Sequence, residues 1–220
     1  MSEISDLFKK IESSASCGEA LADDALGELS LSAALIQAHP LGFLALIWWV
    51  DSRRALRLHY WNKAFDWHQS DGLDIHDHVF DFTSVVMSGC LTNREYEIIP
   101  GEVGADCIYR TEYYSGGSKL VREDVNVAMR LTAEQSHLAP SAYSLLSGVL
   151  HRTQLNSDEA VTMLAVRYKC DARDGARVVG PDMGSEIKFP REVASLSIRD
   201  ELLGKLNSLL DRNGFAIPNA

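Results

Sequence analysis

Two histidines separated by one residue, His76 and His78, have the types and spacing that most directly suggest chemistry. On a β-strand, alternate side chains lie on the same face, so both imidazoles are expected to point the same way. Two such neutral imidazoles can bind one divalent metal ion. A third ligand from a neighbouring strand would leave positions open for water, substrate or O2. The alternative is a pair of surface or hydrogen-bonded histidines.

His151 is the candidate third ligand, because it follows a glycine-containing turn at the predicted start of another strand. Imidazole ligands accept iron, zinc, copper and nickel alike, so the residue types do not name the metal.

Arg57 and His59 are candidate catalytic residues. They share one face of the predicted strand Ala55–Trp61, which should lie close to the strand that carries the paired histidines. If that face points inward, Arg57 could bind a carboxylate or phosphate through two hydrogen bonds. His59 could then hydrogen-bond the substrate or orient a metal ligand. The alternative is an exposed polar face.

Other polar and aromatic residues are interpreted as structural. Asp81 is either a fourth metal ligand or a turn residue, and the turn is favoured. His68 and His137 lie in polar, loop-like surroundings and are predicted to be surface residues. The tryptophans are predicted to pack in the core or at its rim: Trp48, Trp49, Trp61 and Trp67.

The elements that must position these residues are mainly β-strands. A short helix is predicted to begin at Ser5 and a second to cover Ala20–Gln37, so that about 1–40 form a helical extension. Short strands joined by tight turns follow over about 41–190, which favours a closed barrel or a double-sheet jelly roll. The leucine spacing predicts a C-terminal helix over about 194–213. We therefore predict a single domain over 1–220.

The predicted strands lie at Phe43–Val50, Ala55–Trp61, Asp74–His78, Thr83–Met87, Leu91–Ile99, Cys107–Tyr114, Lys119–Leu131, Ser141–Leu146 and Ala160–Tyr168.

Composition limits the classes of partner. The 220 residues are 46% hydrophobic and 24% charged, and the net charge of -10 argues against nucleic acid or an anionic membrane as a partner. No signal peptide or membrane span is recognised, so a cytoplasmic location is expected. The four scattered cysteines are predicted to be free thiols.

Two stretches resemble the two sequence motifs of the cupin superfamily. Ile75–Leu91 begins IHDH and continues through a strand to a glycine turn and a leucine. This is similar to the first motif, in particular to that of cysteine dioxygenase-like thiol dioxygenases. Leu150-His151-Arg152, followed by Glu159–Thr162, is similar to the second motif. The resemblance covers roughly Leu56–Tyr168 and is dense in these two patches.

The resemblance implies a cupin barrel in which three histidines hold one divalent metal, with Fe(II) favoured and Zn, Ni or Mn as alternatives. In the family a tyrosine about 17 residues beyond the third histidine points at the metal, and Tyr168 occupies that position. It could donate a proton or anchor an oxygen species. The alternative is an ordinary barrel tyrosine.

The sequence departs from the family pattern in several respects, including the absence of a sure counterpart of the arginine that binds the substrate carboxylate in that family. Phe82 and Thr83 stand where many cupins have a glutamate ligand, which leaves a three-histidine site or one that uses Asp81. The first and third histidines are 75 residues apart, more than is usual, with an extra hairpin predicted around Ser115–Ser118.

Three functional classes follow. The favoured one is a mononuclear non-haem Fe(II) oxygenase that acts with O2 on a small polar metabolite such as an amino acid or a thiol. The second is a non-redox lyase, isomerase or rearrangement enzyme that uses Zn, Ni or Mn as a Lewis acid. The third is a non-catalytic cupin that binds a small ligand. The terminal helices could mediate a homodimer.

Overall fold

The fold is mainly β, as the strand pattern predicts. It is described from a computed structural model, which covers residues 3–17, 36–65, 72–169, 175–190, 198, 200–205 and 208, without the side chains of residues 3 and 15–17. The helix α1 spans Glu3–Cys17, and residues 198, 200–205 and 208 are helical. The strands are β1 (Gln37–His39), β2 (Phe43–Trp49), β3 (Arg54–Asn62), β4 (Ile75–His76), β5 (Phe80–Ser88), β6 (Cys90–Ile98), β7 (Asp106–Tyr114), β8 (Gly117–Val127), β9 (Met129–Leu138), β10 (Ser141–Leu145), β11 (Leu150–Leu155), β12 (Glu159–Tyr168), β13 (Arg177–Gly180) and β14 (Glu186–Pro190).

Eight of these strands form a double-sheet jelly roll. One sheet contains the order β3-β12-β5-β10 and the other contains β4-β11-β6-β9, with antiparallel neighbours throughout. The chain passes between the two sheets from β3 to β4, from β4 to β5 and from β5 to β6, and again at each step from β9 to β12. This alternation is the arrangement of a jelly roll, in which two sheets enclose an interior.

Additional strands widen both sheets. β1 and β2 extend the first sheet beyond β3, while β7, β8, β13 and β14 extend the second beyond β4. The hairpin β7–β8 turns at Ser115-Gly116, which confirms the extra hairpin predicted around Ser115–Ser118. β13 lies between this hairpin and β4, so it joins the insertion to the strand of His76.

The largest hydrophobic cluster covers the outer face of the first sheet. Leu7, Phe8 and Ile11 of α1 pack with Leu56 and Leu58 of β3, and all five are buried. Because side chains alternate along a strand, the other face of β3 must point towards the interior between the sheets. The N-terminal helix therefore settles the orientation that the sequence left open for this strand.

Several predicted boundaries differ from the structure. The helix predicted over Ala20–Gln37 is wrong at its end, where Gln37–His39 pair with β2 as a strand, and 20–35 lie outside the described residues. The strand predicted over Lys119–Leu131 is two strands, because the ladder is interrupted at Ala128. β13 and β14 were not predicted.

The predicted C-terminal helix agrees with the helical residues 198, 200–205 and 208, and the remainder of 194–213 lies outside the described residues. Cys90 and Cys107 are free thiols, as predicted, while Cys170 and the side chain of Cys17 are not described. In the described part of the chain, no helix combines the length and the apolar character needed to cross a bilayer.

Candidate metal centre

The structure brings His76, His78 and His151 together. His76 of β4 is the Cα partner of His151 in β11, and His78 lies two residues after the end of β4. The ring centroids are 4.8 Å apart for His76 and His78, 4.4 Å for His76 and His151, and 5.0 Å for His78 and His151. Their nitrogen atoms lie within 4.8 Å of one another, so the three residues form a group that can hold a divalent metal ion.

The protonation of these histidines fits metal binding. Burial lowers the pKa of His76, and burial followed by the charges of neighbouring histidines lowers the pKa values of His78 and His151 well below their usual range. His76 and His78 retain some accessible surface only because they line a cavity. A metal ligand must be the neutral imidazole, so this environment maintains the form that binds a metal.

The hydrogen bonding of His76 and His151 is also consistent with metal binding. Nδ1 of His76 lies 3.0 Å from the carbonyl oxygen of Asp74. Donation from Nδ1–H to this oxygen fixes the orientation of the His76 ring and leaves its Nε2 unprotonated and available to a metal. Nδ1 of His151 is buried and has no hydrogen-bond partner of ordinary geometry among the described residues, so a bound ion or water would satisfy it.

The residue between the paired histidines links the two motifs. Asp77 is 5% exposed, and its carboxylate accepts hydrogen bonds from the backbone N–H of Arg177 (2.6 Å) and from Arg177 Nε (2.7 Å). Arg177 Nη2 donates to the carbonyl oxygen of Gly148 at 3.2 Å, in the turn before His151. We call this arrangement of Asp77, Arg177 and Gly148 the clamp. Sequence reasoning missed it, because Arg177 lies 100 residues from Asp77.

The prediction that Asp81 is a turn residue is wrong, because Asp81 lies in strand β5 and its side chain bonds to the turn at Ser147-Gly148. Oδ1 of Asp81 accepts a hydrogen bond from the backbone N–H of Ser147 at 2.7 Å and lies 3.1 Å from Lys169 Nζ. It does not belong to the metal-binding group found among the described residues. The same turn bonds to the first motif, because the backbone N–H of Gly148 donates to the carbonyl oxygen of His78 at 3.0 Å.

A cavity of about 720 Å³ adjoins the three histidines and is also lined by Arg57, His59 and Tyr168. The guanidinium carbon of Arg57 lies 4.6 Å from the centre of the Phe80 ring, and Nη2 of Arg57 donates a hydrogen bond to Oη of Tyr168. Among the described residues, no carboxylate lies within ion-pair distance of Arg57. Arg57 and His59 therefore face inward, the orientation on which their predicted roles depend, and the alternative of an exposed polar face is wrong.

His59 is held by aromatic contacts. Its ring centroid lies 4.3 Å from that of Phe43 and 6.3 Å from that of Trp61. Burial, followed by the charge of Arg57, lowers the pKa of His59 from 6.5 to about 3. His59 is consequently a neutral hydrogen-bonding group in the cavity wall rather than a cation.

Tyr168 lines the cavity near its rim, beside the exposed ring of Trp49. Its ring centroid is 5.4 Å from that of Trp49 and 5.1 Å from that of Phe80. Trp49 is 57% exposed, so it is a rim residue, while Trp61 is 8% exposed in a buried cluster. Trp48 packs partly buried against the outer cluster, and Trp67 lies outside the described residues.

The prediction that His137 is a surface residue is wrong. It is 5% exposed, and its ring stacks on Tyr143 with the centroids 4.2 Å apart. Loop-like sequence surroundings misled the prediction, because β9 extends to Leu138 and aims this side chain inward. His68 lies outside the described residues.

No family model matches the chain, and no curated protein matches it. Among solved structures, it is similar to a cupin domain from Bordetella pertussis Tohama I, with 14% identity and a TM-score of 0.30 over 60% of this chain and 99% of that chain. It is also similar to the capsular polysaccharide assembling protein CapF from Staphylococcus aureus, with 13% identity and a TM-score of 0.36 over 78% of this chain and 45% of that chain. The chain thus spans less than half the length of CapF.

At these identities and scores, the similarities carry no argument about activity. The fold assignment rests on the strand order and pairing. The molecule is a mainly β, jelly-roll protein whose interior carries a three-histidine group able to hold a divalent metal ion.

Proposed function

We propose that this protein is a mononuclear non-haem Fe(II) oxygenase whose substrate carries an anionic group. The observation that supports the proposal most directly is that the same cavity is lined by three neutral histidines and by an arginine that has no acidic partner in the described part of the chain. When bound, the iron supplies the redox chemistry and the position for O2, while the protein binds and orients the substrate.

The charges around the cavity favour an anion. Among the described residues, two carboxylates line the cavity, and both already have cationic partners: Asp74 lies 2.6 Å from Arg152 Nε, and Asp77 lies 2.7 Å from Arg177 Nε. The charge of Arg57 is not balanced in this way, and a divalent ion would add to it. A partly buried cation is costly without a counter-charge, so an anionic ligand would be stabilised here.

Three residues have distinct roles in this proposal. Arg57 binds the anionic group of the substrate. Tyr168 accepts a hydrogen bond from Arg57 at Oη, which leaves its own phenolic proton free to be donated to the substrate. His59, which is neutral, orients the substrate by hydrogen bonding. The aromatic rings around them exclude water from the reacting atoms.

Metal content tests the first part of the proposal. We expect elemental analysis of the full chain, purified at native expression levels, to find about one iron per chain. His76→Ala and His151→Ala should lose the ion. His137→Ala is the matched control, because it removes a buried histidine outside the group and should retain the ion. If His76→Ala and His151→Ala both retained the metal content of the wild type, the proposed metal site would be wrong.

Oxygen consumption tests the reaction class. Protein loaded with Fe(II) should consume O2 when an anionic substrate is added, and the Arg57→Met variant should need much more substrate. Turnover that continues under nitrogen would instead assign a non-redox reaction, for which three histidines and zinc suffice. If the protein consumes no O2 in the presence of Fe(II) and a panel of anionic metabolites, the proposed oxygenase function is refuted.

A further inference from the structure

We infer that the cavity selects a substrate with an apolar, aromatic-sized body attached to its anionic group, which makes the substrate larger than cysteine or another small thiol. This inference rests on the proposed function only for the anionic end, which Arg57 binds. It depends on the size of the cavity and on the side chains that line it at the far end of β3.

The cavity volume is the first argument. About 720 Å³ is several times the volume of a molecule such as cysteine. It falls within the range of about 300–1,000 Å³ for pockets that enclose drug-sized ligands. A small polar metabolite would leave most of this space to water and would gain little from the apolar walls.

The second argument is the distance between the anion-binding residue and the aromatic end. Arg57, His59 and Trp61 alternate along the same face of β3, and all three line the cavity. Four residues at a strand rise of about 3.3 Å separate the Cα atoms of Arg57 and Trp61 by about 13 Å. A ligand whose anionic group lies at Arg57 must therefore be on the order of 10 Å long to contact Trp61.

The third argument is the chemistry of the aromatic end. The ring of Phe43 lies 4.3 Å from that of His39, 4.3 Å from that of His59 and 4.4 Å from that of Trp61, between ring centroids. These four rings line the cavity, and we call them the aromatic subsite. Stacked and edge-on ring faces favour a planar apolar group. Both carboxylates that the described residues contribute to the cavity are ion-paired beside the histidines, so the described lining of this end includes no acidic residue that would attract a cation.

The register of β2 and β3 leaves space beside these rings. Phe43 is opposite Trp61, Ala45 is opposite His59 and Ile47 is opposite Arg57. The small side chain of Ala45 faces the cavity between two large neighbours. This position is where the body of the ligand can lie against the strand, and a larger side chain there would occupy the same volume.

Binding to the wild-type protein tests the inference without any turnover. Isothermal titration calorimetry on the full chain under nitrogen would compare indole-3-propionate with propionate, which has the same anionic group and no aromatic body. It would also compare the neutral indole-3-propionamide. We expect indole-3-propionate to bind at least about tenfold more tightly than either, since burial of the ring and the contact with Arg57 both contribute.

A variant locates the site of the effect. Ala45→Phe should weaken the binding of indole-3-propionate at least about tenfold and leave the binding of propionate unchanged. Ala133→Phe, the same substitution at an exposed position of β9, is the matched control and should change neither. Thermal unfolding of both variants verifies that they are folded, and the wild-type comparison does not depend on them.

Two outcomes would overturn the inference. One is that the wild type binds indole-3-propionate and propionate with equal affinity. The other is that a folded Ala45→Phe protein loses affinity for both ligands by the same factor. These results are distinct from a failure of the proposed function. If the protein binds indole-3-propionate selectively but consumes no O2, the inference about the substrate class is supported and the proposed oxygenase function is refuted. If the protein consumes O2 with small anions only, the oxygenase function is supported and the inference about the substrate class is refuted.

Discussion

Replacing Arg177 by methionine should disturb both stability and metal binding, because the clamp ties Asp77 to the turn before His151. The side chain of Asp77 is 7% exposed and that of Arg177 is 30% exposed. Removal of one partner from a buried ion pair costs about 3–5 kcal/mol. Here the backbone N–H of Arg177 still binds the carboxylate and the guanidinium is partly exposed. We therefore expect a loss of about 2–3 kcal/mol in the free energy of unfolding.

Metal affinity should fall together with stability in Arg177→Met. The clamp lies between His76 and His78 on one side and next to the Gly148 turn on the other, so its loss removes one of the links between the first motif and the second. Changes to groups that orient metal ligands typically weaken binding about 10–100-fold. Urea unfolding of the metal-free protein and competition with a chelator would measure the two effects separately.

Matched variants make this prediction specific to the clamp. Asp81→Asn removes an ion pair whose carboxylate and ammonium are 31% and 51% exposed, so it should cost less than about 1 kcal/mol. Combining Asp77→Asn with Arg177→Met should cost less than the sum of the two single changes, since each removes the same interaction. If Arg177→Met changed stability by less than about 0.5 kcal/mol and left metal affinity within twofold, the clamp would not position the histidines.

Three further predictions concern other parts of the molecule. Arg57→Met should reduce the affinity for indole-3-propionate about tenfold or more and leave the metal content unchanged; an unchanged affinity in calorimetry would contradict its role as the anion-binding residue. Because the pKa of His59 is lowered from 6.5 to about 3, the unfolded chain takes up this proton first as the pH falls. Stability should therefore decrease from pH 6.5 towards 3, and His59→Phe should flatten that decrease in urea midpoints, whereas parallel profiles would refute the shift. Phe8→Ala should cost about 3–5 kcal/mol in unfolding free energy without changing the metal content, because this fully buried ring joins α1 to the outer face of the first sheet.

The proximity of the three histidines could be predicted from sequence because it depends on short-range rules. His76 and His78 share a face by strand alternation, and a glycine turn before His151 marks the strand that returns beside them. The jelly roll could likewise be predicted, since many short strands with tight turns leave few other folds. The iron, the cytoplasmic location and the homodimer stay predictions.

The remainder of the site depends on contacts between distant residues. Whether Arg57 faced inward could not be decided from β3 alone, and the packing of Leu7 and Phe8 against the opposite face decides it. The clamp was not predictable because Arg177 belongs to a short strand without a clear alternation pattern. His137 also depends on a contact between distant residues. The pairing of β9 with β6 continues as far as Leu138, and it places the His137 side chain in the interior.

The inserted hairpin β7–β8 lines the cavity but contributes none of the three histidines of the metal-binding group. Its strands pair with each other, with β13 and with β14, and it contributes Tyr113 and Ser118 to the cavity wall. Its tip can therefore be lengthened, shortened or exchanged while the eight-strand scaffold and its histidines keep their places. Related chains with different hairpins would have differently lined cavities around the same three histidines, and grafting a new tip is the natural first step for changing what the cavity binds.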